Sequence, residues 1–384
     1  MKSFVRQILP QWAINYFWHL PKAVLANVFY GFPTRSLKVI GVTGTDGKTT
    51  TVNMIYQILK AAGKKVSMVS TLNAPGFHVT SPDPFVIQKF AKDSGSEYLV
   101  LEVTSHALDQ FRFWGIRFEV GVITNITHEH LDYHKIWENY FQTKMKLIKD
   151  AKNIVVNQTL KQKIQRKVIT FGFEQGDFNQ KEVKLKLKIP GSYNLENALA
   201  SLAVAFVLNI DRTVARASLE EFPGLTGRME EIKNDRGIKI FIDFAHTPAG
   251  LEQALKTLKG QEGRVIALIG AEGYRDVGKR TMMGEIAQKL ADIVIVTAVD
   301  PRGQIETINR QIQEGVRKVK AKEGINFFII NDREKAIDFA INHLARKGDC
   351  IGIFGKGHER SMNLDGKREI PWSDRQAVMR ALNG

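Results

Sequence analysis

The chain has 384 residues, 43% of them hydrophobic and 25% charged, a length and balance that suit two or three packed domains. Its formal charge of +15 and pI near 9.7 point to anionic partners (nucleotides, phosphorylated substrates, nucleic acid or an anionic membrane surface) or to no more than a solvated basic surface. A single cysteine, Cys350, excludes a disulfide framework within the chain, and no apolar run approaches the roughly 18 residues that a spanning helix needs.

Residues 1–37 stand apart, divided into short pieces by Pro10, Pro21 and Pro33. Between the prolines lie Trp12, Tyr16, Phe17, Trp18, Phe29, Tyr30 and Phe32, with Arg6, Lys22 and Arg35 interspersed. The spacing predicts two short amphipathic helices. They either pack on the body as an arm or lie in a membrane interface, which aromatic and basic residues suit together. The N-terminus lacks a signal peptide's uninterrupted apolar region and cleavage site, so the protein is expected in the cytoplasm, with peripheral contact at an anionic inner membrane face as the arm's alternative.

From Leu37 the pattern becomes strand, glycine-rich loop and helix. Strands are predicted at residues 38–42, 66–70, 98–103, 120–124 and 153–156, with helices over 48–62 and 194–207. Pro-Gly-Leu-Thr-Gly within residues 223–228 reads as a hinge. Further strands follow at 239–243, 264–269, 293–297, 326–330 and 350–354, the last holding Cys350 as a buried core thiol. Strands alternating with helices argue for parallel α/β sheets. The expected architecture is α/β: a P-loop-type domain over 38–223, a Rossmann-like domain over 224–384, and the helical arm over 1–37.

The most specific local signal is Val42-Thr43-Gly44-Thr45-Asp46-Gly47-Lys48-Thr49-Thr50, between the first strand and its helix. Glycines let backbone N–H groups curl round phosphate oxygens, and the helix N-terminus adds donors and a positive dipole. Lys48 can reach the β- and γ-phosphates of ATP, and Thr49 can ligate Mg²⁺. Val42 stands where the usual P-loop has glycine, so the loop is a variant.

This segment resembles the ATP loop of the Mur ligases, and further blocks follow in that family's order across residues 38–375. Glu102-Val103-Thr104-Ser105-His106-Ala107-Leu108 is similar to the MurE-type Glu-Val-Ser-Ser-His-Ala-Leu. Thr124-Asn125-Ile126-Thr127-His128-Glu129-His130-Leu131-Asp132-Tyr133-His134 resembles Thr-Asn-Leu-x-x-Asp-His-Leu-Asp-Tyr-His, with Glu129 in place of Asp. Glu138-Asn139-Tyr140-Phe141 leads to Lys144, which matches the lysine that the family carbamylates to N6-carboxylysine. The resemblance implies an acid–amino-acid ligase that makes an acyl phosphate from ATP. It implies two Mg²⁺, one held by Thr49 and Glu102, the other by Glu102 and His130, with carbamylated Lys144 ligating or orienting the metal.

The same resemblance implies ATP contacts from the 43–50 loop, from Asn194 and Asn197, from Arg228 in Gly-Arg-Met-Glu, and from Asp243 and His246 in Asp-Phe-Ala-His-Thr-Pro. On the acid side, Thr71, Thr80, Ser81, Ser105 and Arg112 match positions that contact a muramoyl peptide, although Thr and Ser there can equally cap helices. On the amine side, Arg275, Asp300, Arg302, Gly355 and Glu359 fall in blocks that bind the incoming amino acid. The family's diaminopimelate selector reads Asp-Asn-Pro-Arg, whereas this chain has Val299-Asp300-Pro301-Arg302 and keeps only the proline and the arginine. An arginine is the natural partner of an amino-acid carboxylate, which favours meso-diaminopimelate or a related diamino acid. MurE-type proteins normally begin with a domain that grips UDP; only 37 residues precede the first strand here, so that uridine site is not carried over, and a lipid-linked or other carboxylate stays open. Folate-polyglutamate ligases are the nearest rival, but the His-Ala-Leu-Asp-Gln and Gly-Lys-Gly-His-Glu blocks favour the MurE type. A nucleic-acid motor should carry an Asp-rich hydrolysis strand and arginine-finger signals, and neither is clear. A monomer without a nucleic-acid partner is expected.

Overall fold

The computed structural model describes residues 9–73, 80–319 and 321–384, so Arg6 of the arm lies outside it. The chain divides into two compact units: residues 1–126, 136–188 and 193–222, and residues 127–135, 189–192 and 223–384.

The first unit opens with helix α1 (Gln11–Ile14), a π-helical turn (Asn15–His19) and helix α2 (Leu20–Tyr30). These three join end to end, where the prolines predicted separate pieces. Pro21 has no N–H to give to the preceding turn and crowds its carbonyls; the widened π turn before it absorbs both defects without ending the helix. Gly31, at φ +73°, stops the run in the left-handed conformation that suits glycine.

After the arm come β1 (Lys38–Thr43), α3 (Lys48–Ala61), β2 (Val66–Val69), α4 (Pro84–Asp93), β3 (Tyr98–Glu102), α5 (Ser105–Asp109), β4 (Phe118–Ile123), α6 (Trp137–Lys149), β5 (Asn153–Asn157), β6 (Ile169–Phe171), α7 (Ser192–Val207) and α8 (Arg212–Glu220). The six strands form one parallel sheet in the order β2-β3-β1-β4-β5-β6. Strands buried on both faces read as continuous apolar runs, as in Val39, Ile40, Val42, Leu99, Val100 and Leu101, all at most 1% exposed. The short edge strand β6 escaped the sequence pattern. It pairs only over Ile169–Phe171, too few residues to show a period.

The second unit contains β7 (Glu230–Ile232), β8 (Lys239–Asp243), α9 (Pro248–Lys259), β9 (Val265–Ile269), α10 (Gly278–Leu290), β10 (Ile293–Val296), α11 (Ile305–Arg317), β11 (Phe327–Ile329), α12 (Arg333–Phe339), β12 (Cys350–Phe354) and α13 (Asp374–Asn383). Its sheet runs β11-β10-β9-β12-β8-β7, parallel except for β7, which pairs antiparallel with β8. The core on one face is rich in β-branched residues, with Ile240, Ile242, Ile266, Ile295, Ile351 and Ile353 all fully buried. Cys350 belongs to this sheet, and burial pushes its thiol up to about 12, so it is a core residue rather than a nucleophile. Among the described residues no helix is long and apolar enough to cross a membrane.

In the first sheet the chain leaves β1 toward β2 on one side and leaves β3 and β4 toward the other. The loops at the carboxyl ends of β1, β3 and β4 therefore diverge and leave room for ligands.

Candidate active site

In the first unit the glycine-rich loop leaves β1 and enters α3. Gly44 sits at φ +155°, and a Cβ there would meet Thr124 Oγ1 at 1.8 Å; Gly47 sits at φ +84°, and a Cβ there would meet Asn197 Oδ1 at 2.3 Å. Both positions thus need glycine for space as well as for backbone conformation. The loop is fixed from β4: Thr45 N donates to Asn125 O (2.9 Å), Asp46 N to Asn125 Oδ1 (2.9 Å), and Thr124 Oγ1 to Asp46 O (2.6 Å). Lys48 curls over it, its ammonium donating to Gly44 O (3.1 Å) and Thr45 O (2.7 Å). Thr43 and Thr50 are buried at the two ends of the loop.

At the second residue of α3, Thr49 Oγ1 donates to Glu102 Oε1 at 3.0 Å. The other carboxylate oxygen accepts from Thr71 N (2.8 Å) and Thr71 Oγ1 (3.0 Å). Glu102 ends β3 beside Val42 of β1, so the sheet register brings it to the loop. Magnesium prefers an octahedron of oxygens at about 2.1 Å, in which adjacent ligands lie about 3.0 Å apart. Thr49 Oγ1 and Glu102 Oε1 have that separation, and the donor set fits the ion. Among the described residues no group of three or more His, Cys, Asp or Glu forms a ready-made metal cage. Magnesium does not require one, because it keeps waters and phosphate oxygens as ligands.

Lys144 lies on α6 with 1% of its surface exposed, its amine donating to Gly44 O at 2.6 Å and standing 4.6 Å from the Tyr140 ring centre. Tyr140 OH in turn meets Thr45 Oγ1 at 3.0 Å. A carbamate on Lys144 would keep one N–H for the same carbonyl. Asn197 lines the loop through Thr51 Oγ1 (3.3 Å) and Gly47, and Asn194 is the buried third residue of α7 rather than its cap.

The acid-side candidates tie one another together. Thr71 Oγ1 reaches Thr80 Oγ1 at 3.1 Å. Ser81 Oγ donates to Glu102 O (2.9 Å) and accepts from Thr104 N (3.1 Å), while Arg112 donates to Ser81 O and, at 2.7 Å, to Gln110 Oε1. Ser105 is buried at the start of α5, which Thr104 caps through Ala107 N.

In the second unit Arg228 precedes β7, Asp243 ends β8, and the other candidates lie on the loops that follow β8, β9, β10 and β12. Asp243 accepts from Met229 N on one oxygen and from Ala245 N on the other, each at 2.7 Å, so its carboxylate clamps two backbone segments. Arg228 lies over the Phe244 ring at 4.6 Å, and His246 Nδ1 meets Phe244 O at 3.0 Å. Burial, then the nearby Lys279 charge, hold His246 down to about 3, so it is neutral at physiological pH.

Arg275 Nε donates to Glu272 Oε2 (3.1 Å), and Arg302 approaches the same carboxylate at 3.8 Å. Burial opposes the Glu272 charge, but Lys279, Arg275, His246 and Arg302 together outweigh it and hold the carboxyl down to about 2. Tyr274, Asp300 and Arg302 all have positive φ, at +57°, +42° and +49°. Such strain, about 1–2 kcal/mol per residue, concentrates where a loop is shaped for a ligand. Lys356, fully buried, donates to both Asp300 oxygens (3.1 and 3.0 Å) and pairs with Glu359 at 2.6 Å. Burial works against the Lys356 charge, yet Glu359 and Asp300 outweigh it and raise its pKa. Gly355 packs against Val299.

Sequence reasoning passed over three residues of this cluster: Glu272, Lys279 and Lys356. Lys279 stands four residues after the candidate Arg275 and Lys356 inside the Gly-Lys-Gly-His-Glu block, which was the available signal; nothing marks Glu272. Lys279 also explains Glu129. Their ion pair at 3.1 Å is almost wholly buried, and His128 Nε2 meets Asp276 Oδ2 at 3.2 Å. These contacts hold residues 127–135, including His130 at φ +57°, within the second unit although they follow β4 of the first. Glu102 and His130 thus belong to different units.

Two family models match the chain, the Mur ligase middle domain over residues 42–205 and the Mur ligase glutamate ligase domain over residues 227–357. A UDP-N-acetylmuramoyl-L-alanyl-D-glutamate–2,6-diaminopimelate ligase of Clostridium botulinum is 36% identical over 93% of this chain and 80% of its own length. A solved structure of an enzyme with that name is 27% identical, covers 94% of this chain and 82% of its own, and superposes with a TM-score of 0.60. Folylpolyglutamate synthase of Mycobacterium tuberculosis, 19% identical with a TM-score of 0.67 over 88% of this chain and 92% of its own, shares the fold alone.

Proposed function

The chain belongs to the Mur ligase family, and on that premise we propose that it joins an amino acid to a muramoyl-peptide carboxylate at the expense of ATP, releasing ADP and phosphate. The observation that carries this reading is the Thr49–Glu102 pair at 3.0 Å on the rim of a loop whose Gly44 and Gly47 admit no side chain. In this reading residues 43–50 cradle the phosphates and Lys48 neutralises the γ-phosphate while the substrate carboxylate attacks it. Bound Mg²⁺ supplies further charge neutralisation, with Thr49 and Glu102 as ligands of one ion and Glu102, His130 and carbamylated Lys144 as the candidates for a second. The amine then displaces phosphate from the acyl phosphate. Asn194, Asn197, Arg228, Asp243 and His246 are assigned to ATP, with Asp243 acting through the backbone it clamps. Residues 38–223 serve as the ATP-binding domain and 224–384 as the amino-acid domain, apart from the 127–135 segment that Lys279 and Asp276 hold.

The relatives' names supply the substrates: UDP-N-acetylmuramoyl-L-alanyl-D-glutamate as acid and 2,6-diaminopimelate as amine. Thr71, Thr80, Ser81, Ser105 and Arg112 are assigned to the acid. Arg302 and Arg275 offer guanidinium groups to the amino-acid carboxylate, and Glu359, with Asp300, Gly355 and Lys356 shaping the loop, offers its charge to the distal ammonium. The test is amide formation and ADP release with that acid and either meso-diaminopimelate or lysine. Turnover with diaminopimelate supports the assignment. ADP release with other acids but none with this one would overturn the acid, and no amide with any pair would overturn the ligase reading.

A further inference from the structure

The arm has two unlike faces. Its inner face is small and polar: Ala23, Ala26 and Asn27 are fully buried and Asn15 nearly so. Asn15 Nδ2 donates to Asp109 Oδ2 at 2.7 Å, and Asn27 Nδ2 donates to Ala23 O at 2.9 Å and Trp114 O at 2.8 Å. Two buried asparagines paired in this way fix the register of the helix on its unit. The Lys22–Asp83 ion pair and the Tyr16–Phe111 edge contact add to the seat. The arm is therefore docked, and its outer face is a built surface.

That outer face is apolar where a docked helix should be polar. Phe17, Trp18 and Phe29 are 77%, 66% and 72% exposed, and Leu25 and Val28 are each 60% exposed. Trp18, Leu25 and Phe29, seven and four residues apart, make one stripe. The chemistry around the stripe is one-sided. Five Lys or Arg and no Asp or Glu precede Asp46 in the sequence. Lys22 of the arm is matched by Asp83, and on the neighbouring α4 Lys89 is matched by Asp93 while Lys92 faces the Tyr30 ring at 6.0 Å; Arg35, after the arm helix, stacks on Phe32 at 3.8 Å.

We propose that this face is a docking surface for an anionic phospholipid bilayer, with the helix lying in the plane of the headgroups. Aromatic side chains prefer the headgroup boundary, basic residues are drawn to anionic lipids, and acidic residues would be repelled. A protein partner or a second copy of the chain would gain nothing from a complete exclusion of acidic residues over this stretch. The helix is too short on apolar residues to span, and among the described residues none does so. The proposal rests on the arm alone and stands or falls independently of the ligase substrates.

The test is sedimentation of the full chain with vesicles of phosphatidylcholine alone or mixed with phosphatidylglycerol. Binding is expected to the mixed vesicles, at least about tenfold weaker to the neutral ones, and to fall as salt screens the charges. The double variant W18S/F29S should lose about tenfold in binding to the mixed vesicles while keeping the wild-type unfolding midpoint and ADP-release rate. The single variant F17S, at the most exposed position, should lose part of it and guards against misfolding of the double variant. A blue shift of tryptophan emission in the wild type on adding mixed vesicles should accompany binding. No preference for anionic vesicles, or equal binding by all three proteins, would overturn the proposal. So would self-association of the wild type that W18S/F29S abolishes without any vesicle binding.

Discussion

Replacing Glu102 by Gln separates the metal-binding role of this residue from its structural one. In the wild type the carboxylate accepts three hydrogen bonds, one from Thr49 Oγ1 and two from Thr71. The amide can keep its oxygen toward the two Thr71 donors and turn its NH₂ toward Thr49, whose hydroxyl can rotate to accept. The two Thr71 donors then keep their acceptor. What is lost is charge assistance, about 1 kcal/mol per bond, and part of that is offset because a glutamine costs less to bury than an ion. The net destabilisation should be about 1–2 kcal/mol, a drop of roughly 3–6 °C in Tm for a domain near 200 residues. The effect on Mg²⁺ should be larger. A neutral amide is a poor ligand for a hard cation, and a loss of about 3–4 kcal/mol corresponds to a few hundredfold in Mg²⁺ requirement or turnover. The assay is ADP release across a Mg²⁺ titration, with thermal unfolding measured on the same samples. Activity within about twofold of wild type at limiting Mg²⁺ would refute the ligand assignment by a margin of at least ~2 kcal/mol. A collapse of Tm with activity lost in proportion would make Glu102 a structural residue instead.

Three further outcomes follow from the geometry. Gly47→Ala places a methyl group 2.3 Å from Asn197 Oδ1 at φ +84°, so the loop must shift; ATP affinity should fall at least ~10-fold while the fold survives, as read by nucleotide titration and thermal unfolding. Asp243→Asn can accept only one of the two backbone amides at 2.7 Å and leaves the other facing an NH₂ group; the cost should be about 1–3 kcal/mol in chemical unfolding, and an unchanged midpoint would mean that the clamp carries no stability. His246 binds fewer protons folded than unfolded, because its pKa falls from 6.5 to about 3, and Glu272 behaves likewise between 4.5 and about 2. Both contributions are present above pH 6.5 and are lost as pH falls through this range, so Tm should drop on acidification from pH 6.5 to 4, and His246→Asn should flatten that slope. Parallel slopes in the variant and the wild type would exclude the His246 contribution.

Much of this protein was legible in its residues. The strands are runs such as Val39-Ile40-Gly41-Val42 and Cys350-Ile351-Gly352-Ile353-Phe354, whose apolar character is a local property of the chain. The phosphate loop was equally local, since Gly44, Gly47, Lys48 and Thr49 lie within six residues. Order along the chain also carried the family resemblance. Short edge strands such as β6 and β7 stayed hidden because three residues show no period.

Contacts distant in sequence were decided only by the fold. Glu102 meets Thr49 and Thr71 because parallel register sets β3 beside β1, and Lys144 reaches Gly44 across a hundred residues. Asp243 accepts from the backbone N–H groups of Met229 and Ala245, contacts that no local pattern announces. The Glu129–Lys279 pair assigns residues 127–135 to the second unit, against their position in the chain. Pro21 marked a break that the π turn absorbed, and Phe17, Trp18 and Phe29 of the arm proved to face outward once Asn15 and Asn27 fixed the rotation of the helix. Local propensity and backbone chemistry depend on neighbours in the chain and can be read from it. Side-chain partners depend on which loops each sheet brings together at its own edge, and that is settled only when the chain has packed.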